Sequence, residues 1–204
     1  MIFSKIPMQV YDDFHKMFSG ANADTFKVCK DCEGMCEYNK IGTLLPGEKE
    51  YMAKKMGISV TEFEIRFLDI LRLDDGTQLD LLKLEKLCPF LNRETKECEC
   101  QNFKPIFCKV YPVVFTVKAG EIKFKLDNWC KLSRKKAFRS HFEKVIPALY
   151  SLPISKEWFI YVASYDNFCF DYNQLEKYRN GKNIKIFSLG EIVNSERLRL
   201  RLRV

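Results

Sequence analysis

The chain has 204 residues, 47% of them hydrophobic and 14% aromatic, with a formal net charge of +7. That composition can bury a core and excludes an intrinsically disordered chain, which is poor in apolar and aromatic residues. No apolar run is long enough to span a membrane, and the opening MIFSKIPMQVYDDFH lacks the continuous apolar stretch of a secretory signal, so a cytoplasmic protein is expected.

Residues 7–19 carry Val10, Phe14, Met17 and Phe18 at helical intervals, which predicts an amphipathic helix entered at Pro7. VCKDCEGMCEYNK (28–40) follows as a cysteine-rich loop. Pro46-Gly47 marks a turn into a second helix that stops at Gly57. Phe63, Ile65 and Phe67 alternate with charged residues, and Asp75-Gly76 is a tight-turn pair. Segments 63–73 and 77–84 therefore read as a β-hairpin, with a Leu-rich second arm that is also compatible with part helix. Residues 88–112 form a polar, cysteine-studded loop, and 113–126 a second hairpin turning at Ala119-Gly120.

Residues 131–150 return to a helical period through Leu132, Phe138, Phe142, Val145, Ile146 and Leu149, with Pro147 as a kink or an end. Ser155 opens a further helix with Trp158, Phe159 and Val162, and 173–178 a short third one. Leu198, Leu200, Leu202 and Val204 alternate with arginine, a strand pattern. The expected fold class is α+β: a single domain with two β-hairpins, cysteine-rich metal-binding loops and C-terminal helices. Its cysteine-cluster core spans about 28–132 and its helical extension about 133–204.

The positive charge sits late, in KLSRKKAFRSHFEK (131–144) and RLRLRLRV (197–204). Such runs read as a solvated helix face and a charged tail. Alternatively they are a footprint for nucleic acid or an acidic partner, giving a basic module built on structural zinc.

Nine cysteines in a chain without an export signal point to metal ligation rather than a disulfide framework. Clustered thiolates repel, and a cation offsets that repulsion. Cys29-x2-Cys32 aims two sulfurs at one centre, and Gly34 lets the loop bring Cys36 round as a third. Cys88, Cys98, Cys100 and Cys108 supply the remainder, stiffened by Pro89 and Pro105. Cys130, between the second hairpin and the following helix, folds back toward the same site, whereas Cys169 has aromatic neighbours that suit packing. The C-x2-C-x3-C order reverses the radical S-adenosylmethionine spacing and does not support that chemistry. His15 and His141 are the two histidines, read as packing or surface groups beside the options of metal ligand or base. Asp12-Asp13 reads as the polar face of the first helix and Asp74-Asp75 as turn chemistry.

The first cysteine loop followed by LLPGEKEYMA resembles the YkgJ-like cysteine-cluster family, written CxxCxxCC. The family's second block is similar to Cys88-Pro89-Phe90-Leu91, Cys98, Lys104-Pro105, Cys108 and Tyr111-Pro112, and a later family cysteine matches Cys130. Two positions depart from the pattern: Met35 stands in the paired-cysteine position, and Lys104 replaces an arginine. Cys100 stands at a usually apolar position and is able to compensate for the missing thiol. The resemblance covers about 28–132 and implies a domain that chelates zinc or iron. Relatives that include flagellin lysine methylases carry an iron–sulfur cluster.

The expected ligands are Cys29, Cys32, Cys36, Cys88, Cys98, Cys100, Cys108 and Cys130. They would hold an iron–sulfur cluster such as [4Fe–4S], favoured by the excess of sulfurs over the four that one zinc takes, or else zinc. The alternative function is a cluster-dependent protein-modifying enzyme such as a lysine N-methylase. No glycine-rich nucleotide loop follows a strand, so a Rossmann-type methyltransferase site is not expected. The expected partner is a protein partner or substrate, with nucleic acid less favoured and no membrane.

Overall fold

The computed structural model describes residues 3–18, 42–73, 77–83, 88–95, 97–118, 120–127, 130, 145–169 and 184–187. Of residues 69, 71–73, 164–169 and 184–187 only the backbone is considered. Helix α1 is Met8–Met17, entered from Pro7. Its buried side is Tyr11, Phe14, His15 and Phe18, while Met17 is 62% exposed. The buried stripe is thus rotated from the Val10–Met17 face that apolarity predicts. Tyr11 takes an inner position because its ring stacks on Tyr51 at 5.1 Å and its hydroxyl donates to the Pro46 carbonyl at 3.0 Å, which satisfies the one polar atom that burial would strand.

Helix α2 (Glu48–Met56) starts after Gly47 at φ +94° and ends at Gly57 at φ +69°, whose N–H closes the last turn onto Ala53 and Lys54. A Cβ on Gly47 would lie 2.9 Å from the Ile6 carbonyl oxygen, so both the backbone angle and the close approach require glycine there.

Helix α3 (Val60–Phe67) occupies the residues whose alternation predicts the start of a strand. Ser59 decides the matter: its hydroxyl accepts the Glu62 N–H at 3.1 Å, a helix N-cap. Phe63 and Phe67 then fall one turn apart and are buried, while Ile65 is 61% exposed. The strand begins only at β1 (Leu68–Leu73), directly on leaving the helix.

Strand β2 (Gln78–Leu82) pairs antiparallel with β1, Leu68 opposite Leu82 and Arg72 opposite Gln78. The expected Asp75-Gly76 turn lies outside the described residues. Segment 88–112, expected as loop, contains the short helix α4 (Ile106–Val110). Strands β3 (Val113–Lys118) and β4 (Glu121–Leu126) form the second antiparallel pair, in register from Val113–Leu126 to Lys118–Glu121. Residues 145–151 are helical. Pro147 does not end this helical stretch, and the remainder of the helix expected over 131–150 lies outside the described residues. Helix α5 (Lys156–Cys169) follows, capped by the Ser155 hydroxyl, which accepts the Trp158 N–H at 3.2 Å. Strand β5 (Ile184–Phe187), unforeseen in the sequence pattern, runs parallel to β1. It completes a sheet of order β2–β1–β5 beside the separate β3–β4 pair. The expected helix at 173–178 and the expected tail strand lie outside the described residues.

The architecture is mixed α+β. Helices α1, α2 and α3 share buried residues with β1 and β2, and a half-buried ion group ties them together. Lys49 Nζ lies 2.6 Å from Glu64 Oε1 and 3.2 Å from Asp80 Oδ2, linking α2, α3 and β2. On the other side α5 covers β3–β4 through aromatic contacts. Phe159 meets Phe115 edge-on at 4.9 Å, and Trp158 stacks on Phe107 of α4 at 5.8 Å. Both halves hold the cysteine-bearing stretch 88–110 between them.

Candidate metal centre

The second cysteine block is a knot of short turns rather than an open loop. The Leu91 N–H donates to the Cys88 carbonyl at 3.1 Å, and Leu91 bridges Cys98 in an antiparallel pair. The Glu99 N–H returns to the Phe90 carbonyl at 2.8 Å, and the Phe103 N–H to the Cys100 carbonyl at 2.9 Å. Asn92 supplies the bend between them: its Oδ1 accepts the N–H groups of Glu94 and Thr95 at 2.9 and 3.0 Å. These bonds draw Cys88, Cys98 and Cys100 together although the sequence separates them.

Phe90, only 2% exposed, fixes this knot to the body of the protein. Its ring stacks 4.8 Å from Phe67 and 6.2 Å from Phe63. Phe90→Ala is expected to cost about 3–5 kcal/mol. The loss should register as a lowered urea midpoint and as faster amide exchange in residues 88–103. An unchanged midpoint would show that the knot holds without this anchor.

Cys108 arrives on α4, and α4 is placed by a buried carboxylate. Glu48, 1% exposed, accepts the Ile106 N–H at 2.6 Å on one oxygen and the Leu45 N–H at 2.8 Å on the other. One side chain thereby caps the first turn of α4 and the turn before α2. Desolvation drives its pKa up to about 7, with the two backbone hydrogen bonds opposing the shift.

Cys130 is held through Asp127. Its N–H donates to the Asp127 carbonyl at 3.2 Å, and the Asp127 carboxylate accepts the hydroxyl of Tyr111, just past Cys108, at 3.0 Å. The Tyr111–Pro112 peptide is cis.

None of the five described cysteines with side chains, Cys88, Cys98, Cys100, Cys108 and Cys130, forms a disulfide among the described residues. Cys100 is buried, and its sulfur lies 3.5 Å from that of Cys98 in an S–H···S contact. The Cys100 thiol is held far above its usual range. The Cys98 hydrogen bond contributes most, then burial, then the charges of Cys98, Cys108 and Cys88. Four sulfurs from one block thus feel each other. Lys104 and Lys109 flank Cys108, and Lys109 is within electrostatic reach of Cys98, with burial followed by the Lys104 charge lowering its pKa.

Among the described residues, no group of three or more His, Cys, Asp or Glu side chains is arranged as a ligand set for a metal ion. Cys29, Cys32 and Cys36, with Met35, lie outside the described residues, so the expected meeting of the two blocks falls there too. The side chain of Cys169 also lies outside.

His15 packs rather than ligates. Its ring is stacked on Tyr51 at 5.6 Å, and both nitrogens are buried without a hydrogen-bond partner among the described residues. Burial, then the Lys109 charge, pushes its pKa down to about 4. Asp12 sits on the polar face of α1 as expected, 2.7 Å from Lys55 Nζ. His141 and both basic runs, 131–144 and 197–204, lie outside the described residues, as does Asp74-Asp75.

Sequence reasoning missed Glu48 and the cations Arg66, Lys83 and Arg93, which line a cleft of about 320 Å³ that Cys88 borders. Glu48 had one available signal, its place directly after Pro46-Gly47 at a helix start, which Glu50 in the same turn shares in part. The cleft had none, because its cations come from three separate segments.

No family model matches the chain, and no curated protein and no solved structure matches it. Among the described residues no helix is long and apolar enough to cross a membrane. The expected resemblance to YkgJ-like proteins therefore rests on the motif residues alone.

Proposed function

We propose that this chain is a metal–thiolate protein in which Cys29, Cys32, Cys36, Cys88, Cys98, Cys100, Cys108 and Cys130 supply the ligands of an iron–sulfur centre. The observation that carries the reading is the meeting of the Cys98 and Cys100 sulfurs, 3.5 Å apart, with Cys88 and Cys108 within electrostatic reach of Cys100. Thiols gathered this way cannot ionise together unless a cation offsets their charge. More sulfurs are present than the four one zinc ion takes, which favours iron–sulfur. Zinc is the competing ion, and the same sulfur pair supports it. Two thiolates at about 2.3 Å from one tetrahedral ion lie roughly 3.8 Å apart, close to the pair's distance.

Anaerobic purification followed by iron, acid-labile sulfide and zinc assays, with a visible absorption spectrum, tests the reading. A coloured protein carrying iron and sulfide is expected, and a colourless one carrying zinc would select the competing ion. A fully folded protein free of both metals would overturn the proposal.

A second reading is a cluster-dependent protein-modifying enzyme of the methylase type. It draws on the cleft beside Cys88, since catalysis needs a substrate site next to the centre. Modification of a protein substrate that persists after every cysteine of the second block is replaced would exclude it.

A further inference from the structure

We propose that the cleft between the end of α3 and the 88–95 turn binds a small organic anion, a carboxylate or phosphate monoester carrying a compact apolar body. At about 320 Å³ the cleft lies within the size range of small-molecule sites. Its lining among the described residues contains three cations, Arg66, Lys83 and Arg93, and no carboxylate. Three like charges around one concavity repel each other, and an anion offsets that repulsion.

The cations are also held in place. The Arg66 guanidinium sits 4.9 Å from the centre of the Phe67 ring and donates to Glu62 Oε1 at 3.0 Å. That pair is about half exposed, so it contributes little stability and leaves the other guanidinium donors for a ligand. Lys83 is tethered by its ammonium to the Ile65 carbonyl at the end of α3 and keeps two further donors. Arg93 projects from the bend that Asn92 rigidifies. Guanidinium forks are suited to bidentate binding of carboxylate or phosphate. Phe67 and Leu91 provide apolar surface between the cations, which selects a ligand with a hydrophobic body over a bare inorganic ion. A bound anion would tie α3 to the turn that carries Cys88.

None of the three cations is an expected metal ligand, so the proposal stands apart from the metal reading although Cys88 borders the cleft. Its test is calorimetric titration of the intact protein at low ionic strength with phenyl phosphate, benzoate, inorganic phosphate and phenol. Phenyl phosphate or benzoate is expected to bind, and comparing the two identifies the preferred head group. Inorganic phosphate should bind more weakly and phenol not at all. The Arg66→Gln, Arg93→Gln double variant should lose at least tenfold in affinity. Both side chains lie at the surface, so an unchanged far-UV circular dichroism spectrum and metal content are expected. Absence of binding by phenyl phosphate and benzoate at millimolar concentration, or equal affinity in the double variant, would overturn the proposal. Metal analysis of the same samples separates that failure from a failure of the metal reading.

Discussion

If the chain holds a metal as proposed, stripping it from anaerobically purified protein is expected to remove most of the stability of the cysteine-bearing region. Structural zinc in small domains contributes about 10–16 kcal/mol, comparable to the whole stability of a typical domain of about 5–15 kcal/mol. An iron–sulfur centre held by thiolates from far-apart segments would act in the same direction. Without the cation, ionisation of Cys100 is opposed by its Cys98 contact, by burial and by the charges of Cys98, Cys108 and Cys88. The three-helix side, with Tyr11, Met52 and Phe63 fully buried, has a core that does not depend on the metal. Chelation, or oxidation where iron is present, should therefore split one unfolding transition into two. Hydrogen exchange should rise across 88–130 and far less across 48–67. Cys98→Ser and Cys108→Ser should each reduce bound metal at least tenfold. Unchanged melting after complete metal removal would defeat this expectation.

The second large effect is an opposed pair of pH dependences. Glu48 binds its proton more tightly folded than unfolded, with its pKa raised from 4.5 to about 7. Its contribution is present below pH 4.5 and is lost as pH rises to about 7, because there the unfolded chain has released a proton that the folded one keeps. His15 is the reverse, its pKa lowered from 6.5 to about 4 by burial and by Lys109. Its contribution is present above pH 6.5 and is lost as pH falls toward 4. Each shift corresponds to about 3 kcal/mol.

Between pH 4.5 and 6.5 the two slopes cancel, so the wild-type protein should show a nearly flat stability profile there. Glu48→Gln removes one slope and should leave stability rising with pH. His15→Phe removes the other and should leave stability falling with pH. Urea midpoints at half-unit pH steps read both. Differences from wild type cancel the protons that metal binding releases. Parallel profiles for both variants and the wild type would refute the assignment. Glu48→Gln is also expected to weaken the attachment of α4, because an amide offers one acceptor oxygen where the carboxylate offered two, leaving one buried N–H unpaired.

The fold was most readable where local chemistry and burial agree. Gly47 and Gly57 bracket α2 because positive backbone angles are needed at both ends, and Ser155 opens α5 with a hydroxyl cap. The 113–126 hairpin follows from β-branched and aromatic residues around a glycine at φ +73°. Segment 63–67 was misleading because Phe63, Ile65 and Phe67 satisfy a period of two, while Phe63 and Phe67 also satisfy a helical one. The Ser59 cap, four residues upstream of Phe63, resolves the ambiguity, and the exposure of Ile65 is its consequence. At the candidate site the cysteines were legible, because few other roles gather so many thiols. Lys109 and Glu48 were not, since a lysine and a glutamate in a charged sequence carry no mark of burial.

By itself the sequence determined the stock of thiols, their spacing, the ends of α1 and α2, the start of α5 and both antiparallel strand pairs, since these depend on residues near one another in the chain. Tertiary structure alone decided which face of α1 is buried, that Glu48 joins two turns, that Cys88 and Cys108 come within electrostatic reach of Cys100, and that Arg66, Lys83 and Arg93 share a cleft. Those outcomes depend on which distant groups lose water together. Desolvation is a property of packed neighbours and leaves no local pattern from which it can be read.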